Sequence, residues 1–172
     1  MNAVLISIRP RWCDLIASGK KTIEIRKSKP RLETPFKAYI YETKTPLRWN
    51  KAHNAIVGGE GGRVIGEFVC DRIYQYSTAQ NVQGIDITDA EITEASVLTK
   101  DQINDYEFSA EARENCIYKI GVYGWHISRF VKYDKGKPLN AFTGLRKTKF
   151  GYEPIKITRP PQSWCYVTED RK

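Results

Sequence analysis

The chain has 172 residues, 41% of them hydrophobic and 12% aromatic, with 28 Lys and Arg against 20 Asp and Glu, a net charge of +8. That composition excludes a disordered chain and calls for one domain, residues 1–172, with a full hydrophobic core. No apolar run is long enough to span a bilayer, so no membrane partner is expected, and the basic balance favours an anionic one.

Residues 1–9 lack the basic start of a signal peptide and read as a first β-strand, which makes a cytoplasmic protein the expectation. Residues 10–18 read as a short helix. Pro10 suits its first position, and Trp12, Leu15 and Ile16 share one face. Gly19 supplies a left-handed stop. Period two then takes over, with Ile23 and Ile25 on one side and Thr22, Glu24 and Arg26 on the other. A basic, proline-containing loop covers 27–31, and 36–42 alternates as a strand. Residues 43–62 read as a loop or short irregular helix followed by a flexible glycine hairpin over 58–62. Residues 63–76 read as one long strand, bent at Gly66.

Residues 77–116 form an acidic, helical region. Thr99 reads as the N-cap of a helix reaching Tyr106, with Gln102 three residues on, and a second short helix is expected over 109–114. Residues 117–131 read as a curved or bulged strand interrupted by glycines. Residues 133–139 read as a turn, 142–154 as basic irregular chain, and 158–167 as a proline-entered final strand. There is no internal repeat. Many strands with long connections and few helices predict a β-rich, mixed α+β fold built as a small open or closed β-barrel.

Charge is distributed unevenly. Residues 1–77 hold 14 basic and 7 acidic side chains, 78–118 hold 2 and 9, and 119–172 hold 12 and 4. Such a chain has a surface suited to phosphate and another that is not, or simply a solvated exterior. The acidic 78–118 stretch is also the place where a protein partner would dock. The four cysteines, Cys13, Cys70, Cys116 and Cys165, form no C-x-x-C pair. They read as small buried hydrophobes, so neither a metal nor any other cofactor is expected.

The densest chemistry lies over 19–26, where Lys20, Lys21, Glu24 and Arg26 gather between the first helix and the second strand. Two readings are open. One is a catalytic or ligand-orienting set; the other is a Glu24–Arg26 ion pair beside a solvated lysine. A lysine acts as base or nucleophile only when its pKa falls, which Lys20 and Arg26 favour and Glu24 opposes. Strict alternation places Lys21 opposite Glu24, so the three converge only if the strand begins after Lys21. The tracts 27–31 and 146–149 offer phosphate contacts, and aromatic side chains between them would stack bases. Trp49, beside Arg48 and Lys51, is expected to be exposed, whereas Trp12 and Trp164 read as core. His53 and His126 would serve a paired-histidine ribonuclease only within one cleft; His126, next to Trp125, reads as packing. No phosphate loop, dinucleotide fingerprint or nucleophile elbow is present.

Gly19, Lys21, Glu24 and Arg26 resemble the G-x-K-x-x-E-x-R signature of the ASCH domain. Residues 64–68, 125–128, 137–139 and 159–167 are similar to bacterial and phage members. The resemblance implies a PUA-like β-barrel, with insertions near 43–62 and 77–116, and a polar cleft lined by the motif. It further implies binding of RNA or a nucleotide-like molecule, with Lys20, Lys21, Glu24, Arg26 and Trp49 as contacts. One branch hydrolyses acetylated cytidine with a lysine, a threonine and a glutamate, and other relatives cleave RNA. Lys21 matches that lysine, but Glu24 stands where the threonine would be. As an enzyme, the chain would use Lys21 and Glu24.

Overall fold

The computed structural model describes residues 2–79, 83–108 and 121–168. Strand β1 (Asn2–Ile8) runs through the middle of the molecule and leads into helix α1 (Pro10–Ala17). β2 (Ile23–Arg26) and β3 (Phe36–Glu42) follow. β1 pairs in parallel with β3 and antiparallel with the last strand, β12 (Trp164–Thr168). A strand paired on both edges reads as a continuous apolar run, and Ala3, Val4, Leu5 and Ile6 are indeed fully buried.

Residues 43–62 contain a two-stranded hairpin, β4 (Arg48–Asn50) with β5 (Ala55–Val57), where a loop or irregular helix was expected. The expected long strand 63–76 is two strands, β6 (Arg63–Cys70) and β7 (Ile73–Tyr76), separated at Asp71 and Arg72. Gly66 does mark an irregularity. The register with the neighbouring strand slips there, and a Cβ at Gly66 would stand 2.5 Å from the Val131 carbonyl oxygen.

In the acidic region, α2 (Asp89–Ser96) was not foreseen, whereas α3 (Lys100–Glu107) lies where Thr99 predicted it. Thr99 accepts from the Gln102 amide and the Gln102 side chain accepts from the Thr99 amide, a complete capping box. Thr88 and Glu91 form the same box on α2. The helix expected over 109–114, Cys116 and the beginning of the expected strand 117–131 fall outside the described residues. The remainder of that strand is divided at Ile127 into β8 (Val122–His126) and β9 (Ser128–Lys137). β9 runs through most of the expected turn at 133–139. The stretch 142–154 is not irregular either: β10 (Thr143–Thr148) and β11 (Gly151–Lys156) make a hairpin.

Seven strands form an open mixed sheet in the order β11-β10-β12-β1-β3-β6-β9, and three form a second in the order β2-β8-β7. Among the described residues neither sheet closes on itself, so the mixed α+β, β-rich expectation holds while a closed barrel is not formed. The chain changes sheet at the two breaks, after β6 and before β9. Three apolar clusters fill the interior. The third joins Ile23 and Ile25 of β2 to Ile92 of α2 and Ile103 of α3, so the acidic helices are packed against the strand that carries the motif. No helix among the described residues is long and apolar enough to cross a membrane.

Candidate functional site

The site begins at the end of α1. Gly19 adopts φ +73°, and the reversed chain returns close enough for the Lys21 amide to donate to the Leu15 carbonyl at 3.0 Å. Thr22 then donates to the Ala95 carbonyl at 2.9 Å, and β2 begins only at Ile23. Lys21 therefore precedes the strand, and alternation does not turn it away from Glu24. Glu24 and Arg26, two residues apart, share one side of β2.

The three charged groups meet. Lys21 Nζ lies 3.2 Å from Glu24 Oε2, and Arg26 Nη2 lies 2.9 Å from Glu24 Oε1. All are buried, Lys21 with 2% of its surface exposed, which disposes of the solvated-lysine reading. Further donors are engaged by distant backbone: Lys21 Nζ donates to the Ser96 carbonyl at 2.7 Å, and Arg26 Nη2 to the Ser7 carbonyl at 2.6 Å. Arg26 Nη1 reaches Ser163 Oγ at 3.4 Å, and Arg26 Nε has no hydrogen-bond partner among the described residues. Burial lowers the Lys21 pKa below the ordinary lysine value; the Glu24 charge and hydrogen bond oppose this, and Arg26 adds to the lowering.

The trio faces a cavity of about 680 Å³, within the range that takes a drug-sized ligand. Trp12 of α1 lines it, with Lys21 Nζ 5.1 Å from its ring centre. Tyr106 and Gln102 of α3 form another part of the wall, and Lys27 lies over the Tyr106 ring at 5.2 Å. The chemical content is one buried cluster of two cations and one anion, two exposed cations (Arg9 and Lys27), and two aromatic rings. That set suits an anion or a polar, flat ligand rather than a metal ion; among the described residues no three His, Cys, Asp or Glu converge.

Of the expected site residues, Lys21, Glu24 and Arg26 come together. Lys20 is exposed and lines a separate depression with Arg72 and His126. Trp49 is exposed on the β4–β5 hairpin and does not line the cavity. Trp12 was expected in the core; it packs against the core with one side and lines the cavity as well. Trp164 packs against the core, its indole N–H donating to Ser28 Oγ. His126 Nδ1 lies 2.6 Å from Asp71 Oδ1 and does not line the trio's cavity, while His53 lies in the exposed turn between β4 and β5. Cys13 and Cys70 are buried, and burial pushes the Cys70 thiol up to about 12. Ser7, Ser96, Gln102, Tyr106 and Ser163 were not foreseen as site residues. Gln102 and Tyr106 carried a signal only in retrospect, as neighbours on a well-capped helix.

An α+β chain with a buried lysine, glutamate and arginine at the entry to its second strand, facing a cleft, is the class that fold and site define. The ASCH domain model matches residues 6–161, and the chain belongs to that family. It is similar in structure to ASCH from Zymomonas mobilis, with a TM-score of 0.53 and 19% identity over 98% of this chain and 89% of that one. A point mutant of the same Zymomonas mobilis protein superimposes with a TM-score of 0.51 and 18% identity, covering 97% and 91%. At such identities the likeness concerns the fold alone. No curated protein sequence matches the chain.

Proposed function

We propose that this chain is a cytoplasmic, single-domain, PUA-like protein that binds RNA, or a nucleotide derived from it, over Lys21, Glu24 and Arg26. The observation that carries this reading is the buried trio set in the wall of a nucleotide-sized cavity between two aromatic side chains. Trp12 and Tyr106 offer faces for a base. Arg26 and Lys27 bring positive charge to a phosphate or carbonyl, and Glu24 retains acceptor capacity for a base amino group. Lys20 and Trp49 enter this reading as contacts to a strand extending beyond the cavity.

The test is the affinity of a labelled RNA octamer measured across a salt series. Binding should weaken steeply as salt rises, because phosphate contacts release counterions. Arg26→Ala, which removes a charged hydrogen-bonding group, should weaken it by at least ~10-fold. An affinity that is flat between low and high salt overturns the proposal.

A second reading is hydrolysis of a modified nucleoside or cleavage of RNA, with Lys21 as base and Glu24 as its partner. One observation favours it: burial draws the Lys21 amine towards its neutral form. Incubation with acetylated cytidine, and separately with RNA, decides. Turnover that disappears in folded Lys21→Ala supports the enzyme, and its absence in the wild type removes that reading.

A further inference from the structure

A second cavity, of about 840 Å³, opens beside the first, and the two share Ser7, Thr43 and Gln162 in their walls. One bank is common to both. Pro160 and Pro161 line the second cavity, Gln162 lines both, and Ser163 lines the first. This bank is fastened to β1 by Ser7, whose hydroxyl donates to the Pro161 carbonyl at 2.6 Å and whose amide donates to the Ser163 carbonyl at 2.9 Å. The facing bank leaves the end of β3 through Thr43, held to the Ile8 carbonyl at 2.9 Å, and continues into Lys44. Two cavities with three wall residues in common and one continuous bank form a single groove.

The two ends of the groove differ in charge. The first contains the Glu24 carboxylate among four cations, Arg9, Lys21, Arg26 and Lys27. The second is lined by Lys44 and Arg63 and by no acidic side chain. Both are exposed, and among the described residues neither is ion-paired; Arg63 donates only to the Gly136 carbonyl at 3.2 Å. Glycines 61 and 62, both at positive φ, let the backbone pass close to this wall. A Cβ at Gly62 would stand 2.6 Å from Lys44 Cε, so the glycine leaves room for the lysine stem. Two unpaired cations in the wall of a groove attract an anion, and a polynucleotide places phosphates at regular intervals beyond its first base.

We infer that the groove holds a single-stranded polynucleotide, one nucleotide in the Lys21 cavity and the adjoining phosphate and nucleotide between Lys44 and Arg63. This rests on the reading that the first cavity binds RNA or a nucleotide, and it specifies a strand of two or more nucleotides in place of a mononucleotide. Each cavity has room for about one nucleotide.

The experiment measures the affinity of the RNA octamer by fluorescence anisotropy, and that of an equal mixture of the four nucleoside 5′-monophosphates by competition. Wild-type protein should prefer the octamer by ~10-fold or more, which corresponds to one additional contacted phosphate at ~10-fold. Lys44→Glu with Arg63→Glu should weaken the octamer by at least ~10-fold and reduce the salt slope by roughly 0.7, the value for one phosphate on a single strand. Lys44→Glu alone, at a side chain with no hydrogen bond to lose, should move both quantities in the same direction even if the double variant is unfolded. Charge reversal at Lys51 and Lys135, which line neither cavity, should cost less than ~3-fold, since unconfined surface charge acts weakly at physiological salt. Should Arg26→Ala abolish octamer binding while the Lys44 and Arg63 variants leave affinity and slope unmoved, the extended groove is wrong and the first site stands. Should the wild type bind neither octamer nor monophosphates, both readings fall.

Discussion

Lys21 holds its ammonium among three competing influences. Burial disfavours the charged form, Glu24 favours it, and Arg26 disfavours it again. Because the folded-state pKa lies below the ordinary value of 10.5, the unfolded chain binds more protons between the two values. Stability contributed by this group therefore rises with pH through that window. Labelled-lysine NMR should find Lys21 titrating below the surface lysines, and lower still in Glu24→Gln, which removes the group that opposes the shift. A Lys21 that titrates at or above 10.5 would show that the Glu24 pairing outweighs the burial. The same substitution leaves two buried cations without a counter-ion and should cost about 3–5 kcal/mol in denaturant unfolding. The residues of the trio stood out in the sequence as a dense charged cluster, and the resemblance to the ASCH signature marked them as a site. Their convergence depended on one residue-level detail, the start of β2 at Ile23 rather than Lys21.

The elements that sequence predicted well are those with a chemical signal at their ends. Pro10 opens α1, Gly19 follows its close, and the Thr99–Gln102 pair caps α3. Thr99→Ala should destabilise the protein by about 1 kcal/mol, read from the denaturation midpoint, since it leaves a helix-end amide without its acceptor. The misread elements share another physical cause. Strand-forming residues lie on both sides of Asp71 and Arg72 and on both sides of Ile127, so a change of sheet leaves no trace in the local composition. At the break the hydrogen bonding alone has new partners: His126 donates to the Arg72 carbonyl and Ile127 to the Thr22 carbonyl. β11 is exposed at all six positions and sits at a sheet edge. With no buried face it needs no apolar alternation, which is why 142–154 looked irregular.

Across the whole molecule, the acidic region is a wall of the site as well as a surface. Ile92 and Ile103 hold it to β2, the Ser96 carbonyl accepts from Lys21, and Gln102 and Tyr106 close one side of the cavity. The cleft is thus assembled from β1, α1, β2, α3 and the segment before β12. A ligand seated there bridges parts of the chain that separate on unfolding. RNA at 100 times its dissociation constant should raise the unfolding free energy by about 2.7 kcal/mol, visible as an increase in Tm of several degrees. A Tm unchanged by saturating RNA would place the ligand elsewhere.

Amino-acid order was enough to reveal the charged motif, the capped helix, the first strand and the alternation of basic and acidic blocks. Each of these arises from neighbours a few residues apart, whose side chains and amides meet whatever the rest of the chain does. The cavity was beyond its reach. Lys21 meets Ser96 across 75 residues and Arg26 meets Ser163 across 137, and such encounters follow from how sheets and helices pack, which no local spacing encodes.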